Sequence, residues 1–279
     1  MKILIISQVF WPDTVSTAQH LSDLAFELSA HHDVRVICSK HNYENPNECY
    51  AESEIVRKVK IDRINNTSLG KGNILFRCVD FFSFNFLLLF KLFAVNKQNT
   101  DVIIGLTSPP LISFIGVVFA KKKQVSFHYW IMDLQPELSI SSGLIKKSSM
   151  IAKLFQGMGN YIFRNATKII VLDKYMRDYV IKRGARQDKV YTIPVWPVMN
   201  TIYEGGRRSN PFRVENSFGD RIVVMFSGNH SFIHPMDTLL DAIFKLRNDS
   251  RFVFVFIGGG FRKKDISIFK AKQIGRAHV

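Results

Sequence analysis

The residues best placed for chemistry near the start of the chain are Thr14, Val15, Ser16 and Thr17. They stand between the apolar run Ile3-Leu4-Ile5-Ile6 and a stretch in which Ala18, Leu21, Leu24, Ala25 and Leu28 make one helical stripe. A loop there opens a helix whose first amides attract phosphate. A plain turn, with Ser16 or Thr17 capping those amides, is the equal alternative. The chain carries no GxGxxG turn, Walker A sequence, HExxH or GxSxG, which argues against nicotinamide chemistry and P-loop hydrolysis. Cys38, Cys49 and Cys78 are odd in number and form no CxxC pair. They read as reduced thiols of a cytoplasmic protein, with neither a disulfide frame nor a zinc site.

Charge narrows the partners. With 38 Lys and Arg against 23 Asp and Glu the net charge is +15, which implies nucleotide phosphates, an acidic membrane surface or nucleic acid. The clusters Lys121-Lys122-Lys123, Lys146-Lys147 and Arg262-Lys263-Lys264 are spread along the chain without the interleaved aromatics of an RNA-binding motif. They read mostly as solvated faces. Hydrophobic content of 47% with 22% charged residues is globular composition.

The first apolar run is too short for a signal peptide and has no cleavage site after it. Many of the 24 Phe residues fall between Phe76 and Phe93, and the run 81–90 is closed by Asp80 and Lys91. Run 111–120 ends in three lysines. Both fall well short of the roughly 20 apolar residues that span a bilayer. Each is either a buried helix of an α/β domain or an apolar surface lying in a membrane interface.

The elements that must position these residues follow from periodicity. Strands are expected at residues 2–7, 34–39, 102–106, 124–129, 168–172, 189–193, 222–227 and 252–257. Helices are expected at 17–30, after an N-cap at Asp173 with Gly184 just past the end, and near 236–246. Alternation with short connections predicts a doubly wound parallel sheet. The rigid Pro194-Val195-Trp196-Pro197 and the turn-rich stretch after it mark a boundary. The expected division is a domain over 1–200, a linker over 201–220 and a second unit over 221–279, in which the βαβ rhythm restarts. Residues 274–279 match the translation of a common sequencing adapter and are read as a non-native tail, with the chain truncated.

Several short segments, in order, resemble the family-4 (group 1) glycosyltransferases of the GT-B fold. They are Phe10-Trp11-Pro12-Asp13-Thr14 ahead of the first helix, Leu106-Thr107-Ser108-Pro109-Pro110-Leu111, and Trp130-Ile131-Met132-Asp133-Leu134-Gln135-Pro136-Glu137. Ile170-Val171-Leu172-Asp173, Ile193-Pro194-Val195-Trp196, Phe226-Ser227-Gly228-Asn229-His230 and His234-Pro235-Met236-Asp237-Thr238 follow. The resemblance implies an α/β chain of GT-B type, with a complete N-terminal Rossmann-like domain on the acceptor side and a partial second one that binds the nucleotide-sugar. The implied reaction transfers a sugar from a nucleotide-sugar donor to a polysaccharide or lipid-linked acceptor, with retention and no obligatory metal or other cofactor. Surface polysaccharide or glycolipid assembly is the implied setting. The location implied is cytoplasmic and peripheral on the inner membrane face, with contact to anionic membrane and no nucleic acid partner. A sugar-nucleotide epimerase of the same fold is a second enzyme reading, and a non-enzymatic basic membrane-surface or nucleic-acid binding module is the alternative.

Carried over residue by residue, Thr14, Val15 and Ser16 take the place of a glycine pair that approaches the donor phosphates. The family's His-Asp turn is Met132-Asp133 here, so Asp133 is the candidate cleft group that orients an acceptor hydroxyl, unless it caps the turn before Pro136 and Glu137. Glu137 is a second candidate catalytic residue. Gly228 is followed by Asn229 where relatives carry Arg, and His234 stands near a Lys position. These neutral groups hold a diphosphate less well, and His230 or His234 serves as a donor when protonated. Gly258 and Gly259 resemble the glycine turn near the donor, although by spacing alone Gly258-Gly259-Gly260 is only a turn. The family's acidic pair would fall after residue 279, so the 279-residue chain alone is expected to be inactive.

Overall fold

Uninterrupted apolar runs make poor surface strands, and here the runs 3–6 and 102–106 become strands covered on both faces, whereas 222–227 forms a strand that stays largely exposed. The computed structural model of the chain describes residues 1–279 except 46, 71–73, 108, 110, 198–203, 232, 233, 235, 274–276 and 279. Ser108, Pro110 and Pro235 of the quoted segments, and most of the 274–279 tail, therefore lie outside the described residues. The chain divides into unit 1, Met1–Met199, and unit 2, Asn200–Val279.

Unit 1 runs β1 (Lys2–Ile6), α1 (Ser16–Leu28), β2 (Asp33–Ser39), β3 (Ser53–Val56), β4 (Val59–Ile64), α2 (Ile74–Phe93) and β5 (Val102–Leu106). It continues with α3 (Ile112–Lys123), β6 (Ser126–Trp130), α4 (Glu137–Ser141), α5 (Met150–Asn165), β7 (Lys168–Val171), α6 (Lys174–Lys182) and β8 (Val190–Thr192). The strands form one sheet in the order β3-β4-β2-β1-β5-β6-β7-β8, parallel except for β3. Period-2 alternation sorts the side chains between the faces. Leu4 and Ile6 point into a cluster with α2, α3, α5 and α6, and Ile3 and Ile5 into a cluster with α1. Gly105 on β5 and Gly116 on α3 let strand and helix close on Phe127. A Cβ on either glycine would come within 2.8 Å of that ring.

The hairpin β3–β4 has no counterpart among the expected strands. Its residues alternate with charges, and its two-residue turn uses positive φ at Arg57 and Lys58 in place of the usual Gly or Asn. The other expected strands match within two residues at each end. Asp173 Oδ1 accepts the Met176 N–H at 2.8 Å, and Gly184 follows the C-cap of α6 with φ +108°. The expected cap on α1 does not form. Val15 is the N-cap residue and makes no side-chain hydrogen bond, which puts Ser16 and Thr17 inside the helix, too late to cap it. The ten-residue Phe-rich run 81–90 is only partly buried. It belongs to the 20-residue α2, which hides Phe84, Leu88 and Leu92 but exposes Phe82, Phe86 and Phe90.

Unit 2 contains α7 (Pro211–Glu215), β9 (Ile222–Ser227), α8 (Asp237–Lys245), β10 (Phe252–Ile257), α9 (Lys263–Gln273) and β11 (Ala277–His278), with sheet order β11-β10-β9, all parallel. Phe254 and Phe256 pack against Ile243 of α8 and Ile266 of α9. Phe218, within the stretch read as a linker, is 1% exposed and packs with Val253 and Val255.

Candidate functional site

In unit 1 the strand order reverses between β1 and β5, and the crevice beyond the C-terminal ends of those strands is where open α/β sheets accept ligands. The loop leaving β1 ends at the uncapped start of α1, with Thr14 and Ser16 exposed. Thr14 O accepts a 2.5 Å hydrogen bond from Gln19 Nε2. The loop is held from beneath. Asp13 is 8% exposed and accepts from Tyr43 N at 3.0 Å and Tyr50 Oη at 3.1 Å. Burial raises the Asp13 pKa in spite of these bonds. The side chain of Arg63 is fully buried and pairs with Glu54 at 2.6 Å. It donates to Trp11 O at 2.8 Å and Ala51 O at 2.9 Å. A buried guanidinium with several acceptors fixes backbone geometry, so the loop between β1 and α1 rests on a rigid support.

The next loops are joined by Thr107, which is 3% exposed and whose Oγ1 accepts the Asp133 N–H at 3.3 Å. The Asp133 side chain reaches solvent, yet the protein around it strips away enough water to raise its pKa above the usual 3.8. Among the described residues its carboxylate has no hydrogen-bond partner. The alternative, a cap on the turn before Pro136, is not seen among the described residues, and no side chain caps α4, whose N-cap residue is Pro136. Glu137 has a different setting. Its carboxylate lies 3.9 Å from Arg183 Nη1, accepts from Gln156 Nε2 at 3.4 Å, and bonds the Tyr179 hydroxyl, whose pKa rises in consequence of burial and that carboxylate. Those partners come from α5, α6 and the residue after α6, so Glu137 ties helices together, whereas the Asp133 side chain is exposed just past the end of β6.

Beside the crevice lies a recess of about 230 Å³ lined by Gln8, Ser39, His41, Asn66, Arg77 and Asp80, among others. Asn66 is fixed there by Ser39 Oγ, which donates to its Oδ1 at 2.8 Å. The recess is open, and its lining mixes apolar surface (Val9, Phe81) with a few placed polar groups that can orient a ligand. Farther along the same edge Trp196 stacks on Trp130, with centroids 5.8 Å apart and planes 11° apart, meets His20 edge-on at 5.7 Å, and donates through Nε1 to Asp23.

In unit 2 the predicted residues converge on two turns at the C-terminal ends of β9 and β10. Gly228 N donates to Ile257 O at 2.9 Å and His230 N to Gly259 O at 2.7 Å. Gly258 has φ +130°, and a Cβ there would sit 2.0 Å from Gly228 O. Only glycine fits. His234 Nδ1 lies 2.9 Å from Asn229 O. A carbonyl only accepts, so Nδ1 carries the hydrogen and Nε2 is a lone pair until the ring gains a second proton. With Nδ1 so engaged, the His234 ring could donate a second hydrogen bond, through Nε2, only as the cation. His230, the other expected donor, is 0% exposed between Phe226 and Phe256, with neither ring nitrogen hydrogen-bonded among the described residues. It is packed as part of the apolar core and does not face a ligand.

No protein-family model matches the chain. A protein of Pseudomonas aeruginosa described as a probable glycosyltransferase, WbjE, is 23% identical over 166 residues, 58% of this chain. That alignment spans 40% of the relative's length. Among solved structures, sucrose-phosphate synthase from Thermosynechococcus elongatus superimposes with a TM-score of 0.68 at 13% identity, over 99% of this chain and 69% of that one. HepE from Anabaena, crystallised with UDP-glucose, gives a TM-score of 0.61 at 14% identity, over 100% of this chain and 68% of that one. The fold is α/β of the GT-B type.

Four residues of this edge carry no signal strong enough to single them out in the sequence for a role there. Asp13 sits inside a quoted segment, and its burial depends on Tyr43 and Tyr50 arriving from the far side of β2. Arg63 belongs to the unexpected β4. Thr107 matters only because β5 and β6 are neighbours. Trp196 reads as part of a rigid connector until the stacking on Trp130 is seen.

Proposed function

We propose that the protein is a glycosyltransferase that moves a sugar from a nucleotide-sugar to a hydroxyl of a polysaccharide or lipid-linked acceptor, with retention at the anomeric carbon. The observation that carries this reading is the interlocked pair of glycine turns at the ends of β9 and β10. They leave backbone, with no side chain in the way, at the place where an open parallel sheet meets a diphosphate. The likeness to WbjE and the fold shared with a UDP-glucose complex of HepE support it.

In this reading Gly228, Asn229, Gly258 and Gly259 border the donor diphosphate, and cationic His234 adds a charged donor. The free amides of α1 at Val15 and Ser16, with the Thr14 hydroxyl nearby, offer a second phosphate-binding surface on unit 1. As the bond from the anomeric carbon to the diphosphate breaks, negative charge grows on the leaving oxygen, and oriented amides stabilise it without reorganising. The acceptor occupies the recess lined by Ser39, His41, Asn66 and Arg77. Asp133 accepts a hydrogen bond from the acceptor hydroxyl and orients it, and Glu137 is a positioning residue that fixes α4 beneath it. Neither metal nor other cofactor has a part in this scheme, which follows the family resemblance.

The experiment is to incubate the protein, expressed from its own gene, with a panel of UDP-, GDP- and dTDP-sugars and a lipid and glycan extract of its host. Transfer of labelled sugar to the extract is the expected result for the product of the whole gene, while the 279-residue chain by itself is expected to transfer none. Conversion of the donor to an epimer, with no transfer, would replace this reading by the epimerase one.

A further inference from the structure

Helix α2 carries large apolar residues on two opposite sides, and among the described residues one of those sides is exposed. Phe84, Leu88 and Leu92 are fully buried. On the opposite side Phe76, Val79, Phe82, Phe86, Phe90 and Phe93 are between 45% and 63% exposed. Their spacing of three and four residues puts them in one stripe. The stripe runs about 26 Å along the helix at 1.5 Å per residue. A single exposed Phe needs no explanation, whereas a contiguous row of five with a Val marks a surface that meets something apolar. No described helix is long and apolar enough to cross a membrane.

The charges around the stripe identify what that is. Residues 74–124 contain six Lys and Arg against two acids, Asp80 and Asp101. Asp80 is engaged in accepting the Leu69 N–H. Arg77 and Lys91 are on α2 itself, and Lys123 reaches its end, donating to Phe93 O at 3.3 Å. The same layer of helices repeats the combination on α5. Met150, Ile151 and Leu154 are 86%, 57% and 63% exposed there, with Lys146 and Lys147 just ahead and Lys153 among them. A second copy of the chain, also carrying +15, would be repelled by such a surface.

We infer that the α2 stripe, with the apolar start of α5, is a docking surface for an anionic phospholipid bilayer. The Phe side chains enter the boundary between head groups and acyl chains, and Arg77, Lys91, Lys121, Lys122 and Lys123 lie among the head groups. The helix rests in the plane of the interface. Because Arg77 and Asp80 of this helix also line the polar recess, docking sets the mouth of that recess at head-group level. The surface goes beyond the sugar-transfer reading and does not depend on it, since lipid binding is measured with no nucleotide present.

The test is co-sedimentation of the protein with vesicles of phosphatidylcholine alone and with about 30% phosphatidylglycerol added to give a negative surface potential. The parent should bind the anionic vesicles, weakly bind the neutral ones, and lose affinity as salt rises. The triple variant Phe82→Ser/Phe86→Ser/Phe90→Ser changes only exposed side chains and should bind at least about tenfold more weakly, the equivalent of 1.4 kcal/mol. A Phe86→Trp variant gives an independent reading that needs no loss of binding. Its added fluorescence should shift to the blue on anionic vesicles and be quenched by lipids brominated along the acyl chain. Vesicle binding unchanged in the triple variant, or added indole fluorescence blind to brominated lipid in the Phe86→Trp variant, would overturn the proposal. So would a parent that is dimeric, ignores vesicles and becomes monomeric in the triple variant.

Discussion

Asp133 shows what a single residue reveals and what it costs. A carboxylate whose pKa is raised by lost solvation is held in its less comfortable charged form at neutral pH. The sign follows from linkage. With the folded pKa above the unfolded 3.8, the penalty is absent below 3.8 and complete once pH exceeds the folded value. Asp133→Asn should therefore raise the melting temperature at pH 7, and the gain should vanish as thermal scans are taken down through the carboxylate range. In the product of the whole gene the same change should lower sugar transfer by about 100-fold, the low end of what a positioned acid or base supplies. A site residue that trades stability for function behaves in this way; a merely structural carboxylate would lose both. In unit 2, His234→Arg should tighten binding of UDP about tenfold by calorimetry, since a permanent guanidinium replaces a ring that must first be protonated. No change, with the fold intact, would mean that position 234 does not face the diphosphate.

Among the elements, the central strands were legible because buried parallel strands need uninterrupted β-branched and aliphatic residues, as in Val102–Leu106. The hairpin β3–β4 was not, since its charged residues pair only once β2 lies alongside. Strand β6 carries the consequence of such neighbours in His128. Burial, with Lys168 opposite on β7, depresses its pKa from 6.5 to about 4. A histidine whose folded pKa lies below its unfolded one is favoured neutral in the native state. The stability it contributes is full above pH 6.5 and falls away as pH drops toward 4. Denaturant unfolding across that window should show unit 1 weakening, and His128→Gln should flatten the slope. An unaltered slope would assign the acid sensitivity to other groups. Helix α2 was only half legible, because its apolar run reads equally as a buried helix or as a surface lying in a membrane interface. Only tertiary packing shows which side is covered.

For the whole molecule, the four apolar clusters each lie within one unit. Unit 2 is the smaller, and small units bury a lower fraction of their surface and are marginally stable. Trp11, Trp130 and Trp196 all belong to unit 1. In urea, circular dichroism should therefore begin to fall before Trp fluorescence changes. A nucleotide held by the glycine turns should delay only the early transition, by about 2.7 kcal/mol at a ligand concentration 100 times Kd. A single coincident transition would show instead that the units unfold together.

Short windows of sequence were enough for the α/β class, the alternation of parallel strands and helices, and the glycines at the ends of β9 and β10. These rest on local rules: strand burial on two faces, 3.6-residue periodicity, and a positive φ that glycine tolerates. Composition supplied the net charge that any anionic partner meets. It took the folded chain to show that Arg63 and Asp13 support the first loop, that Thr107 links Asp133 to β5, and that Glu137 is bound up in a helix junction. The same holds for His230 as core and for the outward-facing Phe stripe of α2. In each of these cases the outcome depends on which distant residues arrive beside a side chain. Desolvation, hydrogen-bond partnership and exposure are properties of that neighbourhood, which no short stretch of chain contains.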